Sequence, residues 1–461
     1  MLFSVPFFVL SVRRWSCFQR EKLVFAYIYF FFCIVFTICL TGGGNHKGEW
    51  DDYTIPTVSL TSKNPHLCVY PSDIERAAEL YPAWGDDIRT RASFSPYTTK
   101  DGGAIAWYFP TYAAFCLPLS LLFPSSVRHY SFAFTNMCLL MAMIFVVAQK
   151  MKHLSFENLF LIVLLLTLNP IVFYIVWPSA EVFLYSMLGL SVLFWFSREW
   201  KKSAFFVSLA GSVNPVILIV GLAIICDYFS TMLRGRNGER ITHVLFVNMR
   251  ETALFGCCFL YSLLPFVYDG VATGKSIFIL VSGNRHNTLL GMIPHFFAYL
   301  FDLNFGILPY YTFVLLFAIA FFVVSIWRKQ FEYTFRLSVF FLLVAGYCRL
   351  LHIDCGMSGM ARYNTWACVI LIFSFVLYVE KYAELPIVRF GRKGAVIALV
   401  VSLCIIARYY HPKKKFDGSG TGFTPIARFV LDNAPCLYNP LHSTFRARVF
   451  HDVNGGSALQ A

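Results

Sequence analysis

The chain has 461 residues, of which 58% are hydrophobic and only 14% are charged. Soluble domains usually carry about 25% charged residues, so this composition excludes an ordinary soluble protein and indicates repeated membrane spans. The 50 Phe and 25 Tyr exclude disorder for most of the chain, because so many large rings cannot stay solvated. The net charge of +13 fits cationic cytoplasmic helix ends, and no nucleic-acid partner is expected.

Apolar stretches close to the ~20 residues that cross a bilayer recur along the chain. They predict an all-α fold, a polytopic transmembrane helical bundle of about 11 spans. The segments lie at 23–41, 130–148, 156–175, 180–196, 203–213, 214–230, 251–268, 308–326, 335–351, 363–380 and 394–408. The stretch 203–230 stays open between two short spans and one kinked span, because Asn214-Pro215 can form either a turn or a kink.

Segment 107–123 is apolar but rich in proline, and we interpret it as a helix at the outer interface; a spanning helix is the alternative. The positive-inside rule favours the interface. With a cytoplasmic N-terminus, more than half of the 38 Lys and Arg then fall in cytoplasmic connections. The predicted organisation is a cytoplasmic N-terminal segment 1–22, a transmembrane bundle 23–408 that includes outer loops 42–129 and 269–307, and an outer C-terminal tail 409–461.

The first outer loop begins with three carboxylates in four residues, Glu49, Asp51 and Asp52, just beyond the first span. Carboxylates beside a membrane are costly unless they are solvated or used, and a general base for a lipid-borne substrate belongs at this depth. A solvated loop start is the alternative. Apolar spacing in Ser72–Tyr81 predicts one of several short interfacial helices in this loop.

Further candidate residues lie at predicted outer helix ends and in the second outer loop. Glu181 is a carboxylate in an apolar stretch, or a helix N-terminal acid favoured by the dipole. Arg285 and His286 could donate to a phosphate, or belong to a plain connecting loop. Arg349 and Arg362 could clamp a phosphate, or snorkel to the interface. The predicted cytoplasmic loops carry no nucleotide-binding motif. A lipid-borne substrate on the outer side therefore fits the sequence better than a soluble nucleotide on the inside.

The chain resembles the GT-C class of polytopic glycosyltransferases, which use polyprenyl-phosphate sugars. The resemblance covers most of residues 20–380 and depends on the order and sidedness of its parts. These parts are Glu49-Trp50-Asp51-Asp52-Tyr53, the segment from Asp101-Gly102-Gly103 to Pro118, Asn169-Pro170 with Glu181, Leu300 to Tyr310, and Arg362-Tyr363. The first loop lacks the His-Pro-Pro stretch of more familiar members, which leaves the sugar open. Enzymes of phages and bacteria that decorate O-antigen have a similar size and layout.

The resemblance implies an inverting transfer of a sugar from a polyprenyl-phosphate donor to a lipid-linked glycan or lipid acceptor. Asp51 or Asp52 matches the expected base, with Glu49 as the fallback, and Glu181 is a further catalytic candidate. The donor phosphate would bind Arg362, Arg349, Arg285 and His286. We expect no required metal or cofactor, because arginines can supply the charge that a monophosphate leaving group needs.

Two other classes stay open. A transporter or flippase for a lipid-linked or glycan substrate would carry charged residues at mid-membrane and matched broken helices in two halves. The sequence has few such charges and no internal duplication. A structural membrane subunit without chemistry is the third reading. The predicted location is a bacterial inner membrane, with a cytoplasmic N-terminus, a periplasmic site and membrane lipids as neighbours.

Overall fold

The computed structural model describes residues 17–42, 50–62, 66–91, 98–106, 109–234, 249–274, 288–348, 360–409 and 425–438. Within these ranges the chain forms 17 α-helices, short 3-10 turns and one two-stranded antiparallel ribbon. The predicted all-α helical bundle is confirmed. Six described segments are long and apolar enough to cross a membrane, so the chain is a multi-pass membrane protein. They are Lys22–Leu40, Ser125–Lys150, Pro215–Leu233, Thr252–Thr273, Leu308–Trp327 and Arg362–Lys381.

The N-terminal part of the chain, up to residue 122, forms five helices and both strands. The helices are α1 (Cys17–Gly42), α2 (Trp50–Ser59), α3 (Pro71–Leu80), α4 (Gly85–Arg91) and α5 (Thr111–Leu122), and β1 (Cys68–Val69) pairs with β2 (Ala104–Ile105). The predicted short helix at Ser72–Tyr81 coincides with α3, which buries Ala77 and Ala78. Pro71 opens this helix at the position where a missing N–H has no cost.

The remaining helices form the body of the bundle. They are α6 (Ser131–Lys150), α7 (Phe156–Thr167), α8 (Glu181–Phe196), α9 (Trp200–Val213), α10 (Leu218–Arg234), α11 (Met249–Thr273), α12 (Leu289–Phe301), α13 (Leu308–Trp327), α14 (Phe331–Tyr347), α15 (Arg362–Lys381), α16 (Pro386–Tyr409) and α17 (Pro425–Asn433). Ten of the eleven predicted apolar segments fall on these helices, and the remaining one, 23–41, falls on α1. How many of them cross the bilayer stays a prediction.

Three helix boundaries bear on the predicted topology. Helix α5 has 12 residues and is therefore ~18 Å long, the same length as α7, so the interfacial position of 107–123 stays a prediction. Two separate helices, α9 and α10, occupy 203–230, because Asn214 is extended and its side chain accepts a hydrogen bond from the Val216 N–H. Helix α7 ends at Thr167, well before residue 175, because Asn169-Pro170 starts a 3-10 turn.

Helices α8 and α15 lie at the centre of the bundle. Every residue from Glu181 to Trp195 in α8 is buried, and nearly all of α15 from Asn364 to Val379 is buried. Helix α8 packs against α6, α9 and α15, while α15 also packs against α7, α13 and α14. A helix that is apolar on all sides belongs in such an enclosed position. The first residues of these two central helices therefore mark the middle of one end of the bundle.

Polar contacts tie together the connections at the opposite end of the bundle. Lys150 and Glu199 approach within 2.5 Å, and Arg392 and Glu157 within 3.0 Å. The Gln330 amide donates to the Tyr382 hydroxyl at 2.7 Å. All of these residues belong to connections with a predicted cytoplasmic location. The helix ends that the sequence assigns to one side of the membrane therefore lie together in the structure.

A close backbone approach at Gly306 generates the first prediction. A Cβ atom there would lie 2.5 Å from the Asp302 carbonyl oxygen, 2.6 Å from the Asp302 nitrogen and 3.0 Å from the Ala298 oxygen. Gly306→Ala is expected to lower the free energy of unfolding by about 1–3 kcal/mol, because backbone atoms must shift. Thermal unfolding of the purified protein in detergent measures the change.

The matched control is Gly256→Ala in α11, where a Cβ atom would meet nothing within 4 Å. This change should leave the melting temperature unchanged or raise it slightly, because alanine favours a helix over glycine. Equal melting temperatures for the two variants would contradict the tight turn at Gly306.

Candidate functional site

Two of the residues singled out in the sequence meet at the start of the two central helices. Arg362 begins α15 and Glu181 begins α8. The Arg362 Nε lies 3.8 Å from the Glu181 Oε1, and the two side chains are only 12% and 6% exposed. The Arg362 guanidinium carbon also lies 5.3 Å from the centre of the Tyr363 ring. The fold thus forms a mostly buried ion pair from residues that are distant in the sequence.

The position of this pair at two helix N-termini determines its electrostatics. An N-terminus carries a partial positive charge, so the Glu181 carboxylate is favoured there, whereas the Arg362 cation is disfavoured by about 0.3–1 kcal/mol. The carboxylate offsets the arginine and both helix dipoles. First-turn N–H groups of α8 and α15 face this end of the bundle, and such groups bind anions well. The combination of an arginine with two converging helix starts suits a phosphate ligand.

A buried asparagine fixes the chain just before Glu181. The Asn136 amide in α6 donates to the carbonyl oxygens of Tyr174, Ile175 and Trp177 at 3.3, 3.2 and 2.9 Å. The Tyr112 hydroxyl in turn donates to Asn136 Oδ1 at 2.8 Å. These bonds satisfy carbonyl groups in the irregular segment between α7 and α8, which would otherwise be buried without partners. The start of α8 is therefore held in one place.

A second buried asparagine fixes the start of α15. The Asn364 amide donates to the Tyr299 carbonyl at 2.8 Å, and the Tyr347 hydroxyl donates to Asn364 Oδ1 at 2.6 Å. The Ala361 N–H donates to the Phe305 carbonyl at 2.8 Å. Arg362 is thereby tied to the turn between α12 and α13, a segment that the sequence analysis had associated with the same face.

The N-terminus of α2, which contains Asp51 and Asp52, lies at the same end of the bundle as this pair. Two aromatic contacts show this. Asp51 and Asp52 are in the first turn of α2, and the Tyr53 ring that follows them packs 4.9 Å from the Tyr112 ring. The Tyr112 ring also packs 5.8 Å from Phe183, in the first turn of α8. The first turns of α2 and α8 therefore lie on either side of one tyrosine. This places the two aspartates and Glu181 at the same end of the bundle.

Several predicted site residues cannot be placed. Glu49, Arg285, His286 and Arg349 lie outside the residues that the structure describes. Within the described ranges no group of three or more His, Cys, Asp or Glu side chains could hold a metal ion.

Some buried polar atoms in α2, in α8 and the residues before it, and in α15 lack a hydrogen-bond partner. Thr54 Oγ1, Ser179 Oγ, Ser186 Oγ and Trp366 Nε1 are buried and make no hydrogen bond within the described ranges. Thr54 is in α2, Ser179 and Ser186 flank the start of α8, and Trp366 is one turn into α15. Native interiors satisfy most such groups. Atoms of the same kind also occur elsewhere in the described ranges, for example in Ser131, Ser325 and Ser374, so these four do not by themselves mark a ligand site.

Sequence reasoning missed a hydrogen-bonded cluster in the segment between α2 and α5. His66 Nε2 lies 2.8 Å from the buried Asp73 Oδ2, which also accepts from the Tyr70 N–H at 2.9 Å. The Tyr70 hydroxyl donates to Asp101 at 2.5 Å. Hydrogen bonds from Thr99 and Tyr70 lower the pKa of Asp101, and the same bond to Asp101 raises the pKa of Tyr70 to about 12. These contacts fold the loop, and no periodic pattern in the sequence signals them.

No family model, no curated protein and no solved structure matches the chain.

The anchoring of α15 leads to a second prediction. Asn364→Ala is expected to lower the free energy of unfolding by about 1–3 kcal/mol, because three buried partners lose a hydrogen bond. The control is Asn433→Ala in α17, which removes one exposed bond to the Phe429 carbonyl. Thermal unfolding in detergent compares the two. A control variant as unstable as Asn364→Ala would show that the buried amide is not an anchor.

Proposed function

We propose that this chain is a membrane glycosyltransferase that moves a sugar from a polyprenyl-phosphate donor to a lipid-linked glycan or lipid acceptor. The observation that carries the proposal is the buried Arg362–Glu181 pair at the N-termini of the two central helices. The resemblance to GT-C enzymes supports it, because such enzymes need a lipid-phosphate site and an acidic first-loop residue at one end of a bundle.

Arg362 binds the donor phosphate in this proposal. Arginine matches phosphate geometry and stays charged at any physiological pH. Its low exposure strengthens the interaction, since charges attract more strongly where water is scarce. The N–H groups at the starts of α8 and α15 add further donors. Arg349, Arg285 and His286 are additional phosphate-binding candidates from the sequence.

Asp51 or Asp52 is the proposed general base, with Glu49 as the fallback. The carboxylate takes the proton of an acceptor hydroxyl, and the oxygen attacks the anomeric carbon of the sugar. The bond from that carbon to the phosphate oxygen breaks as the new glycosidic bond forms, which inverts the configuration. The leaving phosphate carries the released charge, and Arg362 stabilises it as it develops. The reaction is a single displacement without a covalent enzyme intermediate.

Glu181 holds Arg362 in this scheme. Its carboxylate lies next to the Arg362 guanidinium and is more than nine-tenths buried. A base must reach the acceptor, and this contact favours a positioning role for Glu181 over proton transfer. A buried carboxylate also keeps the arginine from turning toward another partner when the site is empty.

The proposed membrane is a bacterial inner membrane with the ion pair on the periplasmic side. The opposite end of the bundle carries basic side chains in four connections, including Lys150, Lys202, Arg328 and Arg392. Basic connections face the cytoplasm in most membrane proteins. The acceptor and the donor then meet the site from the outer leaflet.

Sugar transfer by wild-type and variant membranes tests the proposal. Membranes that contain the protein receive polyprenyl-phosphate donors with radiolabelled sugars, and labelled lipid-linked glycan is counted. Loss of the base, in Asp51→Asn or Asp52→Asn, is expected to lower the rate by about 10²–10⁴-fold at equal expression. Asp86→Asn is the control, because Asp86 is an exposed carboxylate in the same loop.

Transfer that survives both base changes would keep the class of enzyme and overturn the assignment of the base. Absence of transfer from every donor would contradict the glycosyltransferase. Movement of labelled lipid-linked glycan across sealed vesicles without transfer would then favour a flippase.

A further inference from the structure

The C-terminal segment docks against the same end of the bundle as the ion pair. Helix α17 and the 3-10 turn after it, Pro435–Leu437, end at Tyr438. The Tyr438 side chain is buried, and its hydroxyl donates to the Asp302 carboxylate at 3.1 Å to Oδ1 and 3.0 Å to Oδ2. Ala427 in α17 is fully buried as well. The predicted outer tail therefore contributes a polar anchor to the body of the protein.

Asp302 is also hydrogen-bonded to the backbone of the turn between α12 and α13. Its Oδ1 accepts from the N–H groups of Asn304 and Phe305 at 2.7 and 3.1 Å. The carboxylate thus fixes the backbone of the turn on one side and receives Tyr438 on the other. Because Gly306 approaches the Asp302 backbone so closely, the turn has little freedom to relax independently.

The turn between α12 and α13 is in turn hydrogen-bonded to the start of α15. The Phe305 carbonyl accepts from the Ala361 N–H at 2.8 Å and from the Asn364 amide at 3.4 Å. These two residues stand on either side of Arg362 in the sequence. A continuous series of hydrogen bonds therefore links Tyr438 to the backbone that carries the arginine of the ion pair.

We propose that Tyr438 is a positioning residue for the phosphate site, and that the C-terminal segment 425–438 acts through Asp302 and Phe305 to set the place of Arg362. The inference rests on the proposed function of Arg362. Removal of the Tyr438 hydroxyl shifts the Asp302–Phe305 turn, and the N-terminus of α15 moves with it. Phosphate affinity falls as a result, although Tyr438 itself does not touch the ligand.

The test measures the binding of a sugar-free polyprenyl monophosphate to the full-length protein in detergent, through the rise in melting temperature with ligand concentration. Tyr438→Phe is expected to raise the apparent Kd about tenfold, because a hydrogen bond to a charged group is lost. Tyr382→Phe is the matched control, since its hydroxyl accepts a hydrogen bond from Gln330 at the opposite end of the bundle. The control should bind the ligand as the wild type does.

A second variant separates positioning from general instability. Asp302→Asn keeps one acceptor oxygen but removes the charge, and it should weaken phosphate binding in the same direction as Tyr438→Phe. In transfer assays, both variants should raise the KM for the donor more than they lower kcat. A structural role alone would lower the amount of folded protein and leave KM unchanged.

The outcomes distinguish this inference from the proposed function. Weaker binding in Tyr438→Phe with unchanged binding in Tyr382→Phe supports it. Equal binding by wild type and Tyr438→Phe overturns it and leaves the glycosyltransferase standing. Absence of stabilisation in the wild type, with the same result for Arg362→Gln, overturns both the phosphate site and the positioning role of Tyr438.

Discussion

The structure depends on how one end of the bundle accommodates a mostly buried arginine beside a buried glutamate. The distance of 3.8 Å is longer than a charge-assisted hydrogen bond of about 2.7–2.9 Å, so the pair gains little direct energy to offset the loss of hydration. A buried ion pair is weak evidence for stability, and apolar side chains of similar size often serve as well. The proposed phosphate site would give this pair a role that apolar side chains of similar size could not perform.

Buried amides and a carboxylate hold the helix starts around this pair. Asn136 fixes the chain before α8, Asn364 fixes the start of α15, and Asp302 fixes the turn to which α15 is bonded. Asn136 and Asp302 satisfy backbone groups in non-helical segments, and Asn364 satisfies carbonyls in the last turn of α12 and in the turn that follows it. The hydrogen bonds that stabilise these turns also orient the residues of the candidate site.

Apolar run length predicted the all-α bundle, because a span must be continuous and apolar. It did not predict the helices α12 and α17, which lie in the predicted outer loop 269–307 and the predicted outer tail. It did not predict where α7 ends, although Asn169-Pro170 carried the signal in its turn chemistry. Glu181 and Arg362 were both recognised as polar residues at helix ends, but their contact depends on which helices are neighbours, and helical periodicity does not contain that information. Tyr438 was missed for the same reason: its partner, Asp302, is distant in the sequence, and no local pattern joins them.

The most direct test of the central claim is a double-mutant cycle between positions 362 and 181. It measures the affinity of each protein for a polyprenyl monophosphate. The wild type, Arg362→Gln, Glu181→Gln and the double variant are compared at one detergent and salt concentration. The phosphate site predicts that Arg362→Gln weakens binding at least about tenfold, and that Glu181→Gln matters only while Arg362 is present. Equal affinities in all four proteins would contradict a role for this pair in phosphate binding.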